Sequence, residues 1–173
     1  MNADIGMLSM NGDREKTMLL QGEYNETGAQ ISPDSGWIVY TSNESGTQEV
    51  FVRSFPEVEN QRQQASKGGG SFPLWSPDGK ELFYLSADKN VMVVSVRTEP
   101  TLWLGTPEVL FPNINRGYIL GRGYPWDIHP IDKRFLMIKP PTPADGTTAM
   151  SGVRKIHVVL NWDVELKEKL NVD

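Results

Sequence analysis

The chain has 173 residues, with 17 Lys+Arg against 22 Asp+Glu, and its formal net charge of -5 argues against a general attraction to nucleic acid or anionic lipid. It contains no Cys, which excludes disulfide scaffolds, thiolate metal sites, iron–sulfur clusters and cysteine nucleophiles without fixing the redox compartment. No apolar run approaches the ~18 residues of a membrane span, the first residues lack the basic start and apolar segment of a signal peptide, and 38% hydrophobic with 23% charged residues is too apolar for a disordered chain.

In chain order, the first elements are two strands, Ile5–Met10 and Glu15–Gln21, joined at Asn11-Gly12, a hairpin dipeptide. Next, Ile31-Ser32-Pro33-Asp34-Ser35-Gly36 runs into Trp37-Ile38-Val39-Tyr40-Thr41-Ser42. The pattern is a strand, a tight turn set by Pro, Asp and Gly, and a second strand of β-branched and aromatic residues. Strand-like runs follow at Glu49–Phe55 and Arg62–Ser66. The pattern then returns as Trp75-Ser76-Pro77-Asp78-Gly79-Lys80 into Glu81-Leu82-Phe83-Tyr84-Leu85-Ser86, with further runs at Val91–Val96 and Pro107–Phe111. A weaker copy, Ile128-His129-Pro130-Ile131-Asp132-Lys133-Arg134 into Phe135–Ile138, precedes a long Pro/Thr/Gly loop at 139–152, a strand at Lys155–Trp162 and a short helix at Val164–Leu170. The prolines of the three copies are 44 and 53 residues apart.

Four short strands in about 44 residues are the content of one propeller blade. The expected fold is all-β: a partial β-propeller of four-stranded antiparallel blades. The boundaries are 1–21 for the last two strands of an incomplete blade, 22–67 and 68–112 for two blades, 113–163 for a three-stranded blade and 164–173 for a tail. This makes about three blade equivalents. Because a ring typically needs four to eight blades, either the chain is a fragment of a longer propeller or, for a chain stable in solution, the expected partner is a second copy, associated head to tail to give six blades, each copy donating its N-terminal strands to the other's last blade.

The Ser-Pro-Asp-(Ser/Gly) turns with apolar strands resemble the TolB-like, WD40-like PD40 propeller repeat. The order Asn11-Gly12-Asp13-Arg14, Asn25-Glu26-Thr27, Ser32-Pro33-Asp34, Tyr40-Thr41-Ser42-Asn43-Glu44-Ser45-Gly46, Glu49-Val50-Phe51-Val52, Glu81-Leu82-Phe83-Tyr84-Leu85 and Val158-Val159-Leu160-Asn161-Trp162 is similar to the C-terminal propeller of bacterial membrane-anchored serine/threonine protein kinases. That resemblance implies an extracytoplasmic sensing or scaffolding module. The chain departs from the family in carrying no Gly-rich phosphate loop, no Val-Ala-Ile-Lys, no His-Arg-Asp and no Asp-Phe-Gly, so kinase chemistry has no residues here. It also opens in the middle of a blade.

Among groups that could carry chemistry, His129 and His157 are the only histidines and have no acid at ligand spacing; His129 stands where the other copies have Ser32 and Ser76 and reads as a turn residue. Pro33, Asp34, Gly36, Pro77, Asp78, Gly79, Pro130 and Asp132 read as turn residues, the acids capping their own backbone rather than holding calcium. There is no Gly-x-Ser-x-Gly elbow, and Gly68-Gly69-Gly70-Ser71 continues as a strand rather than a helix, so it reads as a connection between blades. Trp37, Trp75, Trp103, Trp126 and Trp162 read mostly as core. Arg116, Tyr118, Arg122, Tyr124 and Trp126 form the one basic-aromatic cluster, able to stack on a sugar, base or peptide. The plainer alternative is packing between blades.

No catalytic residue, metal ligand or cofactor is expected, nor insertion into a membrane. The leading function is a non-catalytic binding or scaffolding module that recognises a protein, peptide or small ligand. The alternative is the accessory propeller of a multidomain enzyme, a receptor kinase or a propeller-bearing serine peptidase.

Overall fold

The computed structural model describes residues 2–10, 12, 14–112 and 126–137, all of the regular structure among them being β-strand. The chain divides into two compact units, Met1–Asn113 and Ile114–Asp173. The expected third strand of the last blade (155–162), the loop at 139–152, the terminal helix and His157 lie outside the described residues.

The first unit opens on a hairpin of β1 (Ile5–Leu8) and β2 (Lys16–Leu20). These strands are shorter than expected, because the hairpin closes through Ser9 N donating to Glu15 O, with Gly12 and Arg14 both at positive φ in a loop longer than a two-residue turn. The next sheet runs β3 (Glu26–Ile31), β4 (Trp37–Ser42), β5 (Glu49–Ser54) and β6 (Arg62–Gln64) in consecutive antiparallel order. Every residue of β4 is buried, since both faces of this sheet are covered. Ile38, Tyr40 and Phe51 pack against Leu20, Ile5 and Leu19 of the hairpin, together with Val58. Trp37, Val39, Val50 and Val52 pack against the following sheet through Trp75, Leu82, Tyr84 and Val94. That double coverage is why β4 reads as a continuous apolar run and not as an alternating one.

The following sheet holds β7 (Gly70–Trp75), β8 (Glu81–Ser86) and β9 (Val91–Arg97). Its outer layer departs from the expected single fourth strand. It is split into β10 (Trp103–Leu104) and β11 (Glu108–Phe111), both paired antiparallel with β9. The ladder continues through Gly105 N donating to Ser95 O and then breaks before Pro107, which has no N–H to give. Trp103, read as core, is a half-exposed edge residue, with the Arg97 guanidinium 4.0 Å from its ring centroid.

The two complete sheets repeat each other in detail. The first strand of each carries a bulge four residues before the turn serine, at Gly28 (φ 63) and at Phe72 (φ 53). Positive φ is free for glycine and costly for phenylalanine. In the second unit the described residues form one hairpin, β12 (Trp126–Ile128) with β13 (Phe135–Met137).

Candidate functional site

The three turns show where the recurring acids are used. The Ser32 hydroxyl donates to Asp34 Oδ1 at 2.5 Å while accepting from Trp37 N at 3.0 Å, and Gly36 N donates to the same carboxylate at 3.1 Å. Ser76 and Asp78 repeat the arrangement: hydroxyl to carboxylate at 2.7 Å, Glu81 N to hydroxyl at 2.9 Å, Lys80 N to carboxylate at 3.2 Å. Burial opposes ionisation of Asp34, but donation from Ser32, Gly36 and Thr98 prevails and holds its carboxyl below the ordinary value.

The third turn is built differently. His129 N donates to Arg134 O at 2.8 Å, closing the hairpin across the same span as Ser32 to Trp37 and Ser76 to Glu81. Within it the acid sits one place later, at Asp132, and the left-handed residue moves with it, from Ser35 (φ 59) and Gly79 (φ 68) to Lys133 (φ 57). Asp132 pairs with Arg134 at 2.6 Å and with His129 Nδ1 at 2.8 Å. The Arg134 contact, more than any other, lowers its acidity range. His129 is a turn residue, as expected, with Asp132 as its partner.

Of the basic-aromatic cluster, Arg116, Tyr118, Arg122 and Tyr124 lie outside the described residues. Trp126 opens β12 and is 5% exposed, its ring edge-on to Phe135 at 6.3 Å between centroids. Its ring serves the packing of that hairpin.

Two cavities flank the first complete sheet. One, of about 360 Å³, lies at its turn end between Asp34, Asp78, Lys80, Arg97 and Glu99. The other, of about 420 Å³, lies between the end of β2 with the 21–24 connection, the sheet residues Glu26, Tyr40 and Arg53, and Glu44 of the β4–β5 turn. The connection is held by Asn2 Nδ2 donating to Glu23 O at 2.6 Å, Ala3 N to Asn25 Oδ1 at 3.1 Å, and Asn25 N to Asn43 Oδ1 at 2.8 Å. Glu26 N donates to Ala3 O at 2.7 Å, fixing the start of β3.

Arg53 is the one basic residue in that wall, and its guanidinium is already engaged. Nε donates to the Tyr40 hydroxyl at 2.9 Å, Nη1 donates to Val58 O at 3.0 Å, and Nη1 also faces Glu59 at 3.5 Å. Burial raises the Tyr40 phenol above its ordinary range, the Arg53 contact opposing it. Glu44 is paired with Arg62. Sequence reading missed this site because its residues come from β2, β3, β4 and β5 and share no motif. The available signal was an acid, Glu26, as the first residue of a strand.

Stacked four-stranded antiparallel sheets, repeated with the same bulge and turn, define the chain as part of a β-propeller. Its fold is similar to that of solved propellers, TolB among them. A protein assigned as TolB from Agrobacterium tumefaciens matches 62% of this chain and 40% of its own length, at TM-score 0.50 and 24% identity. Oligogalacturonate lyase from Vibrio parahaemolyticus matches 80% of this chain and 36% of its own length, at TM-score 0.52 and 16% identity. TolB from Acinetobacter baumannii matches 81% and 44%, at TM-score 0.46 and 13% identity. The chain thus spans less than half the length of each. No family model and no curated protein sequence matches it.

Proposed function

We propose that this chain is a non-catalytic binding or scaffolding module, a stretch of TolB-like propeller that recognises a peptide or protein segment. The observation that carries the reading is the use made of its recurring polar residues. Ser32, Asp34, Ser76 and Asp78 are all spent on closing turns, and Glu49 on bracketing a strand connection, so the repeats build a scaffold and recognition falls to the cavities and connecting segments. Arg116, Tyr118, Arg122 and Tyr124 add guanidinium and aromatic groups of a kind suited to peptide contact. In solution two copies associate head to tail, covering the exposed side chains of the β1–β2 hairpin.

The test is selection of random displayed peptides on the immobilised full chain, followed by titration calorimetry of the synthetic peptides and mass spectrometry of the recovered ligand. Sequences that converge, saturate one site per chain and come back chemically unchanged are the expected result. Selection without convergence overturns the recognition role, and a cleaved or altered ligand overturns the non-catalytic one.

A further inference from the structure

Glu26 and Glu49 flank Ser42 in one row of the first complete sheet, Glu26 opposite Ser42 and Ser42 opposite Glu49. Both acids are buried, at 8% and 3% exposure, and they are treated very differently. Glu49 has donors on both oxygens: Ser66 Oγ on one, and Gly69 N at 2.8 Å with Thr47 Oγ1 at 3.4 Å on the other. Glu26 has one donor, Ser42 Oγ at 3.3 Å on Oε1; its Oε2 is buried with no hydrogen-bond partner. A buried carboxylate oxygen without a donor is costly, and such groups in folded proteins call for an explanation.

Glu26 lines the cavity of about 420 Å³ under the N-terminal hairpin, and the charges there are unbalanced. Glu23, Glu26, Glu44 and Glu59 face it against Arg53 alone. Arg62 neutralises Glu44, and Arg53 is shared between Tyr40, Val58 O and Glu59. Among the described residues, Glu23 and Glu26 have no Lys or Arg partner. The rest of the wall is Met18, Leu19 and Leu20 at the end of β2, then Gln21 and Gly22, with the Tyr40 ring and the half-exposed ring of Tyr24.

We infer that this cavity binds an alkylammonium group. The cation sits between Glu26 and Glu23, a rotation of the Glu26 carboxylate turning the otherwise enclosed Oε2 toward it to accept the missing hydrogen bond, with its hydrocarbon stem against Met18, Leu19 and the Tyr24 ring. The volume lies within the roughly 300–1,000 Å³ of small-molecule sites, and an ammonium facing carboxylate and tyrosine combines charge-assisted hydrogen bonding with cation–π attraction. A divalent metal fits the same wall poorly, because calcium takes about six to eight oxygen ligands and no group of three or more acidic or histidine side chains among the described residues is arranged to hold one. The ammonium can be a lysine side chain of a peptide or a free diamine. The inference deepens the binding-module reading and rests on it.

The experiment titrates the full chain at low ionic strength with putrescine, with an acetylated, amidated Gly-Lys-Gly peptide, and with its Gly-norleucine-Gly counterpart, following heat and backbone amide shifts. Saturable binding of putrescine or of the lysine peptide, absent for norleucine and weakened about tenfold or more in Glu26→Gln, is expected; which of the two binds identifies the source. Glu23→Gln, an exposed position, gives the same test should Glu26→Gln fail to fold. Binding of neither cation, or equal affinity in the variants, overturns the inference. If selected peptides bind the chain and are indifferent to both substitutions, the binding module stands and the cation site falls. If convergent peptides are never found while putrescine binds through Glu26, it is the peptide-recognition reading that fails.

Discussion

Ser66 donates its hydroxyl to the Glu49 carboxylate and accepts from Val50 N at 2.7 Å, so one side chain ties the third strand of one sheet to the connection that begins the next. Ser66→Ala removes a donor from a buried carboxylate and an acceptor from a buried amide at once. Leaving such groups unpaired costs about 1–3 kcal/mol, and urea denaturation should show the midpoint falling with an unchanged slope. A midpoint equal to that of the wild type would mean the bracket carries no stability.

The same bracket explains Gly70. A Cβ at that position would stand 2.5 Å from Ser66 Oγ and 2.6 Å from Ser66 Cβ, with Val50 at 3.0 Å on the other side. Gly70→Ala therefore displaces Ser66 from Glu49, an overpacking cost of about 1–3 kcal/mol. Combined with Ser66→Ala the penalties should be less than additive, because Ser66→Ala removes the hydroxyl oxygen, one of the atoms the new Cβ collides with, and both changes break the same Ser66–Glu49 bond. Additivity in the double variant would refute this account.

Asp34 makes the fold acid-sensitive in a defined direction. Despite the opposing effect of burial, its carboxyl titrates below 3.8 in the folded chain, because the ionised form accepts from Ser32, Gly36 and Thr98. The contribution is complete above the unfolded value and is lost as pH falls through the folded one. In thermal melts Asp34→Asn should lower Tm at neutral pH, and its curve should meet that of the wild type at strongly acid pH. Curves that stay parallel would show that the charge is irrelevant.

Tyr84 gives the opposite limb. Burial, helped by the nearby Glu49 charge, pushes its phenol from 10.0 up to about 12. Between those values the unfolded chain loses the proton and the folded chain keeps it, so stability falls as pH rises through that window. Tyr84→Phe should keep the neutral Tm and flatten the decline from about pH 10 upward. An unchanged alkaline limb in that variant would place its cause elsewhere.

The repeat was readable because its chemistry is local. Ser-Pro-Asp followed by an apolar run specifies a turn and the strand after it, and the turns at Ser32 and Ser76 close as that chemistry requires. Asp132 also holds its turn, but the offset of the left-handed position from Ser35 and Gly79 to Lys133 depends on how four loop residues share the dihedrals, which composition does not reveal. The split outer strand escaped because β10 has two residues, and its pairing with Arg97 and Val96 is a tertiary fact. The cavity around Glu26 and Arg53 escaped for the same reason: Tyr40 and Arg53 are thirteen positions apart and meet only across the β4–β5 ladder.

The proposed self-association is open to test at the hairpin. β1 and β2 form a two-stranded sheet whose Met7, Leu8 and Met18 are 39%, 50% and 49% exposed, with Met10 of their connection 79% exposed. A two-stranded sheet with a cluster of exposed apolar side chains and unpaired edges is a surface for pairing with another strand. Sedimentation equilibrium should return twice the chain mass of 19.4 kDa. Leu8→Glu and Met18→Glu place like charges on that surface without entering the buried contact made by Leu20, and each should shift the equilibrium toward the single chain. A monodisperse single chain for the wild type, with melting independent of concentration, would rule out the head-to-tail dimer.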